Sequence, residues 1–293
     1  MMKSQLIAGI IVIVIVGIGG YFFVSRQTNT PQGMHGADTN GKPAAQSHRS
    51  YNLEVTSNTS NITPKQAITF SYKIKNDKGE VLKNYEITHE KIMHFIAVRK
   101  DLSNFQHLHP EFNQSTGEFT VMVTFPGDGP YRLFPDFTPG EENPQKLPVT
   151  VYHDVEVGNS SKYYAQSVVP DTEQTKTYGD YKIAITFPKD AKKQQEITYS
   201  LNITKDGKLV TNLENYLGAL GHSVILKEGS LDFIHTHALE ATSGEHSMQQ
   251  EITSTGPKIS FTTSFPESGV YKIFTQFQQE GEIQTVDNIV RIQ

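Results

Sequence analysis

The sequence predicts an all-β chain in which two tandem β-sandwiches follow one N-terminal transmembrane helix. Three observations carry that expectation: an uncharged apolar run near the N-terminus, short alternating apolar stretches from Tyr51 onward with almost no helical periodicity, and an internal repeat.

The apolar run extends from Leu6 to Val24 and is dominated by Ile and Val. Its 19 residues, at about 1.5 Å each in a helix, reach roughly the thickness of a bilayer core. A cleaved signal peptide has a shorter apolar region ending in small residues, whereas this run ends in Tyr21-Phe22-Phe23-Val24. Residues 1–26 therefore read as an uncleaved membrane anchor, with a signal peptide cleaved after Gly19 or Gly20 as the alternative. The long polar remainder, without a second apolar span, places the bulk of the chain outside the cytoplasm. Residues 27–50 hold Thr, Asn, Gly, Pro and Gln with almost no large apolar side chain, so they cannot bury enough surface to offset the entropy of ordering. They read as a flexible stalk.

From Tyr51 the texture changes. Tyr51, Leu53 and Val55 alternate with polar residues, as do Ile68, Phe70, Tyr72 and Ile74, and then Phe119, Val121 and Val123. Turn clusters such as Asn76-Asp77-Lys78-Gly79 and Gly127-Asp128-Gly129-Pro130 separate these stretches. The repeat fixes the domain count. Ile68-Thr69-Phe70-Ser71, His94 and Phe105-Gln106-His107-Leu108-His109 return as Ile197-Thr198-Tyr199-Ser200, His222 and Phe233-Ile234-His235-Thr236-His237. Further on, Phe125-Pro126, Gly129, Tyr131 and Phe134 return as Phe265-Pro266, Gly269, Tyr271 and Phe274, after extra residues within Ala241 to Gly256. Two modules, 51–157 and 176–293, are thus joined by a polar connection at 158–175. Their size and strand spacing fit an immunoglobulin-like or cupredoxin-like sandwich, and a pseudo-twofold pair is a natural arrangement for a duplicated one. The repeated aromatic residues read as core and strand-corner positions.

Composition excludes several classes. A net charge of −5 with scattered Lys and Arg argues against nucleic acid. The absence of cysteine excludes disulfides, thiolate copper centres, iron–sulfur clusters and a lipid-modified N-terminal cysteine. The sequence contains no nucleophile elbow, phosphate loop or His-Glu-x-x-His helix, so it does not read as an enzyme.

The chemistry lies in the repeated histidines. Residues two apart on a strand share a face, so His107 and His109 project together if 105–110 is extended. Ile92 to Val98 reads as a neighbouring strand that presents His94 beside them. Three imidazoles of this kind suit a copper or zinc ion. Asp136 offers a fourth ligand in the first module. The matching triad in the second is His222, His235 and His237, where Gln276 replaces Asp136 and weaker binding is expected. Met93, Met34, His35, His246 and Met248 are softer candidates, with core packing the simpler reading of Met93 and exposed loop positions that of the others. The same histidines could equally be structural, packed on the sandwich rim and donating to backbone carbonyls.

The segments His94-Phe95-Ile96, Phe105-x-His107-x-His109-Pro110 and Gly129-x-Tyr131-Arg132-Leu133-Phe134-Pro135-Asp136-Phe137 resemble bacterial envelope β-sandwich proteins of the YtkA-like and copper-resistance-like type. Leu217-Gly218-Ala219-Leu220-Gly221-His222 and Tyr271-Lys272-Ile273-Phe274 carry the resemblance into the second half. It implies a secreted or anchored sandwich linked to metal homeostasis. The leading expectation is a membrane-anchored extracytoplasmic protein that buffers copper or delivers it to another envelope protein. The competing one is a metal-free envelope scaffold or adhesion module.

Overall fold

The computed structural model describes residues 23–27, 51–140, 146–238 and 258–293. In the first module, β1 (Phe23–Gln27), β2 (Asn52–Ser57), β3 (Ala67–Lys75), β4 (Tyr85–Glu86), β5 (Met93–Arg99), β6 (Gln106–Leu108), β7 (Glu111–Asn113), β8 (Glu118–Thr124), β9 (Gly129–Pro139), β10 (Val149–Thr150) and β11 (His153–Val157) follow one another. They form two sheets, ordered β1-β2-β3-β8-β7 and β10-β9-β5-β6, with β4 and β11 also paired to β9. In the second module, β12 (Thr175–Tyr178), β13 (Tyr181–Thr186), β14 (Glu196–Lys205), β15 (Lys208–Leu209), β16 (Leu213–Glu214), β17 (His222–Lys227), β18 (Phe233–His237), β19 (Lys258–Ser264), β20 (Gly269–Gln279) and β21 (Glu282–Ile292) repeat the plan. Here the orders are β12-β13-β14-β15 with β19 on β14, and β16-β20-β17-β18 with β21 on β20. The modules are immunoglobulin-like sandwiches, and Thr175, expected to close the connection, already opens β12.

The N-terminal expectation needs correcting where it can be checked. Phe23 and Val24, assigned above to the end of a membrane helix, are the first residues of β1, which pairs antiparallel with β2 from Phe23↔Ser57 to Gln27↔Leu53. An aromatic and a β-branched residue suit a strand, and the edge of β2 offers unpaired backbone groups that a helix could not satisfy. Residues 1–22 and 28–50 lie outside the described residues. Among the described residues no helix is long and apolar enough to cross a membrane.

Strict alternation builds each core. Along β3, Ile68, Phe70, Tyr72 and Ile74 point inward, opposite Phe95, Ala97, Tyr131 and Leu133 of the facing sheet. The second core repeats this with Ile197, Tyr199, Leu201 and Ile203 packed with Ile225, Tyr271 and Ile273. Met93 is part of the first core, as its simpler reading expected. Each module carries a corner tyrosine: the Tyr131 hydroxyl donates to Gly127 O at 3.0 Å, and the Tyr271 hydroxyl to Glu267 O at 2.9 Å. Gly129 adopts φ +122° at this corner, where an added Cβ would lie 2.6 Å from the Tyr163 ring.

Strand β5 departs from alternation, because all seven of its residues are buried. Its second face, with that of β9, is covered by the other module. Ile96, Val98, Leu102 and Phe134 meet Val224, Leu226, Leu231, Phe233 and Phe274 in a third apolar cluster that runs between the sandwiches. The contacts are reciprocal. Phe105 stacks on Phe274 with ring centres 4.2 Å apart, and their repeat counterparts Phe233 and Phe134 meet at 5.3 Å. Phe134 and Phe274 therefore serve this seam, although the sequence pattern alone suggested module cores. Replacing Tyr271 by Phe is expected to cost about 1 kcal/mol, the usual net worth of one hydrogen bond, and replacing Tyr131, whose hydroxyl also accepts from Asn104 Nδ2 at 2.9 Å, up to about twice that. The two losses should add, since the corners lie in separate modules; urea unfolding of the single and double variants checks both points.

Candidate metal centre

The seam carries the histidines at one end. Register places them: in the first module His94 pairs with Asp136 on β9, while Ile96 sits opposite both His107 on β6 and Phe134 on β9. In the second, His222 pairs with His237 and Gln276, and Val224 with His235 and Phe274. One face of each β5-type strand thus presents its histidine and apolar residues to the other module. Among histidines whose side chains are described, all but His153 gather here: His89, His94, His107, His109, His222 and His235 form one connected group of rings.

His94, His107 and His109 come together as the sequence predicts. One nitrogen of each lies within 4.8 Å of the others. Their ring centres are 5.2, 5.2 and 4.8 Å apart. Three imidazoles bound to a tetrahedral ion at metal–nitrogen distances of about 2.0–2.1 Å would have ring centres about 5 Å apart. The hydrogen bonds assign the tautomers. His94 donates from Nε2 to Thr88 O at 3.1 Å, leaving Nδ1 with its lone pair. His107 donates from Nδ1 to Gln276 Oε1 at 2.7 Å, leaving Nε2 with its own. Those two lone-pair nitrogens face each other at 3.0 Å. His109 Nε2 is buried without a hydrogen-bond partner.

In the second module His222 donates from Nε2 to Leu217 O at 2.9 Å, as His94 does to its own preceding turn. His235 Nδ1 lies 2.9 Å from Asp136 Oδ2. Asp136 is therefore an outer partner of the second module's His235, not a fourth ligand beside the first triad. Its Oδ1 accepts from the Thr150 hydroxyl at 2.8 Å. Gln276 holds the matching place toward His107 and is steadied by donation from its Nε2 to Thr285 Oγ1 at 2.9 Å. The His237 side chain, and Met34, His35, His246 and Met248, lie outside the described residues.

Two participants escaped the sequence pattern. His89 occupies a tight turn with Glu90, both at positive φ, and its repeat counterpart is Leu217. With no histidine at the repeat position and no strand periodicity, it carries no signal in the sequence. Its ring lies 5.4 Å from His222 and 6.2 Å from His94, so the first module lends it to the second. Gln276 was set aside as a weak ligand, and only the fold reveals it as an acceptor for another module's imidazole.

Burial governs the charge. It pushes His89 and His109 down to about 4 and His222 to about 2, with neighbouring imidazoles adding to the effect. His94, His107 and His235 are lowered as well, again chiefly by burial. The same desolvation pushes Asp136 up to about 6, against the opposing pull of His94 and Thr150. At neutral pH the contact of His235 with Asp136 is thus a hydrogen bond from a neutral ring to a carboxylate. Among the described residues no lysine or arginine pairs with that carboxylate, while His94 and His89 act on it electrostatically.

The chain belongs to the DUF8832 family, a domain of unknown function whose match covers residues 47–156 and again 175–293. No curated protein matches the sequence. Solved structures with a similar trace include the Escherichia coli adhesin FdeC, at 11% identity and TM-score 0.25, covering 82% of this chain and 64% of that one. A DUF4785 family protein from Legionella pneumophila has 8% identity and TM-score 0.25, with coverage of 83% and 56%. The D00-D0 domain of intimin has 12% identity and TM-score 0.21, with coverage of 84% and 99%.

The shifts set a pH dependence. Unfolded histidines take up protons below about pH 6.5, whereas the buried ones resist until about pH 4, so acid favours unfolding across that window. Asp136 acts oppositely: its raised value stabilises the fold at low pH, and that contribution is lost as pH rises through about 6. With one carboxylate against several imidazoles, metal-free stability should fall between pH 6.5 and 4; urea midpoints across that range, unchanged or rising on acidification, would contradict the assignment.

Proposed function

We propose that this chain binds a transition metal ion through the histidines of its intermodule seam, and that it does so as a membrane-anchored extracytoplasmic protein. The observation that carries the metal reading is the pair of opposed nitrogens, His94 Nδ1 and His107 Nε2, 3.0 Å apart. Each ring already spends its N–H on a carbonyl oxygen, so two lone pairs face one another and repel unless a proton or a cation lies between them. Burial disfavours the proton. A cation accounts for both lone pairs and for the buried His109 Nε2 beside them.

The donor set favours Cu(II) or Zn(II), which accept neutral imidazole without sulfur. The only nearby thioether among the described residues, Met93, is turned into the first core and so supplies no soft ligand for Cu(I). The buried carboxylate of Asp136, hydrogen-bonded to His235 in the same group of rings, adds negative charge that a bound cation would offset. His94 is buried while His107 and His109 are partly exposed, an arrangement that serves buffering or delivery of the ion. The anchor rests on the apolar run that precedes Phe23.

Calorimetric titration of the full-length protein with Zn(II) and Cu(II) tests this reading. Saturable binding should weaken in the variant combining His107→Ala with His109→Ala by more than the about 10–100-fold that loss of an outer-shell partner costs. No saturable binding by the wild type would overturn it and favour the metal-free envelope scaffold, with the histidines serving to register the modules.

A further inference from the structure

The Nδ1 partners of His107 and His235 come from the opposite module in each case. His107 is held from Gln276 of the second module, and His235 from Asp136 of the first. Positions 136 and 276 are repeat counterparts, each facing a threonine across the sheet, Thr150 and Thr285. The arrangement is therefore crossed: each module keeps its histidine and receives that histidine's acceptor from its neighbour. The first module does possess an acceptor at the equivalent place, but Asp136 is aimed over the seam and away from His107.

We propose that Gln276 and Asp136 are positioning residues acting across the seam, so that ion binding and docking of the two modules form one coupled equilibrium. The inference rests on the metal reading above and adds its regulation. An imidazole binds an ion through one nitrogen only when the proton sits on the other, and an acceptor at 2.7–2.9 Å holds it there. Separating the modules removes the Gln276 acceptor from His107, lets that ring turn and change tautomer, and so lowers affinity. Reciprocity then requires the ion to hold the modules together by the same factor. The apolar contacts that dock the modules, led by the Phe105–Phe274 stack, become part of the binding energy although they touch no ring nitrogen.

The test uses the full-length protein with two readouts: Zn(II) affinity, and the ring-nitrogen NMR shifts of His107 in the metal-free state. Gln276→Leu should lower affinity about 10–100-fold and shift His107 away from the Nδ1–H tautomer. Gln276→Glu, which keeps an acceptor of the same length, should restore both. Phe274→Ala should weaken zinc binding while leaving each sandwich folded by circular dichroism. If Gln276→Leu matches the wild type in affinity and tautomer, the positioning role is wrong even though zinc binds. Unchanged affinity in Phe274→Ala refutes the coupling to docking. If the wild type binds no zinc, the metal reading and the coupling both fall, and the tautomer shift alone decides whether Gln276 sets His107.

Discussion

A sheet with two apolar faces must be covered twice. In each module the strands β5 and β9, or β17 and β20, turn one face to their own sandwich and the other outward, and the outward face carries Ile96, Val98 and Phe134 or Val224, Leu226 and Phe274. Left in water, such a face would forfeit about 25 cal/mol for each Å² of apolar surface it could bury. The duplicated chain supplies its own cover, because the two faces match and the connection keeps them at high local concentration. Everything chemically distinctive follows from that burial. Without it His94 and His222 would stand on a solvated sheet face, their neighbours would titrate ordinarily, and no lone pair would be forced against another.

Much of this was legible in the sequence because strands advertise their faces through alternation. The cores could be read from Ile68, Phe70, Tyr72 and Ile74, and the histidine triad of the first module from the two-residue spacing of His107 and His109 with His94 on the next strand. The seam was harder to see. Phe134 looks like any core aromatic, since a residue buried against another module has the same pattern as one buried inside its own. His89 depends on a turn with positive φ and on a partner far away in the chain. Asp136 reads from the sequence as a neighbour of its own module's triad, whereas its carboxylate contacts His235 of the second module, a pairing that only the docked modules create. Phe23 and Val24 fit an apolar span and a strand equally well, and pairing with β2 decides between them.

The seam also combines two normally expensive features. It desolvates a carboxylate and several imidazoles, yet among the described residues no lysine or arginine pairs with that carboxylate. The cost is moderated by hydrogen bonds: Asp136 receives the Thr150 hydroxyl and the His235 N–H, and His94 and His222 each donate to a turn carbonyl. Those bonds steady the rings while leaving their second nitrogens directed into the cluster. A largely buried arrangement of neutral nitrogen donors beside one negative charge is electrostatically prepared for a divalent cation before one arrives.

The crossed arrangement has a consequence for symmetry. Were a single module to self-associate through this face, both copies would necessarily carry the same side chain at the seam position. Two aspartates would then bring two carboxylates into the same dry space, and two glutamines would bring none. Covalent fusion lifts that restriction, since each half can mutate independently while the interface keeps its shape. The observed pairing of one acid with one amide is a broken symmetry available to a tandem chain and closed to a homodimer. It gives His107 an amide acceptor and His235 a carboxylate one, so the halves need no longer have the same preference for the ion they face.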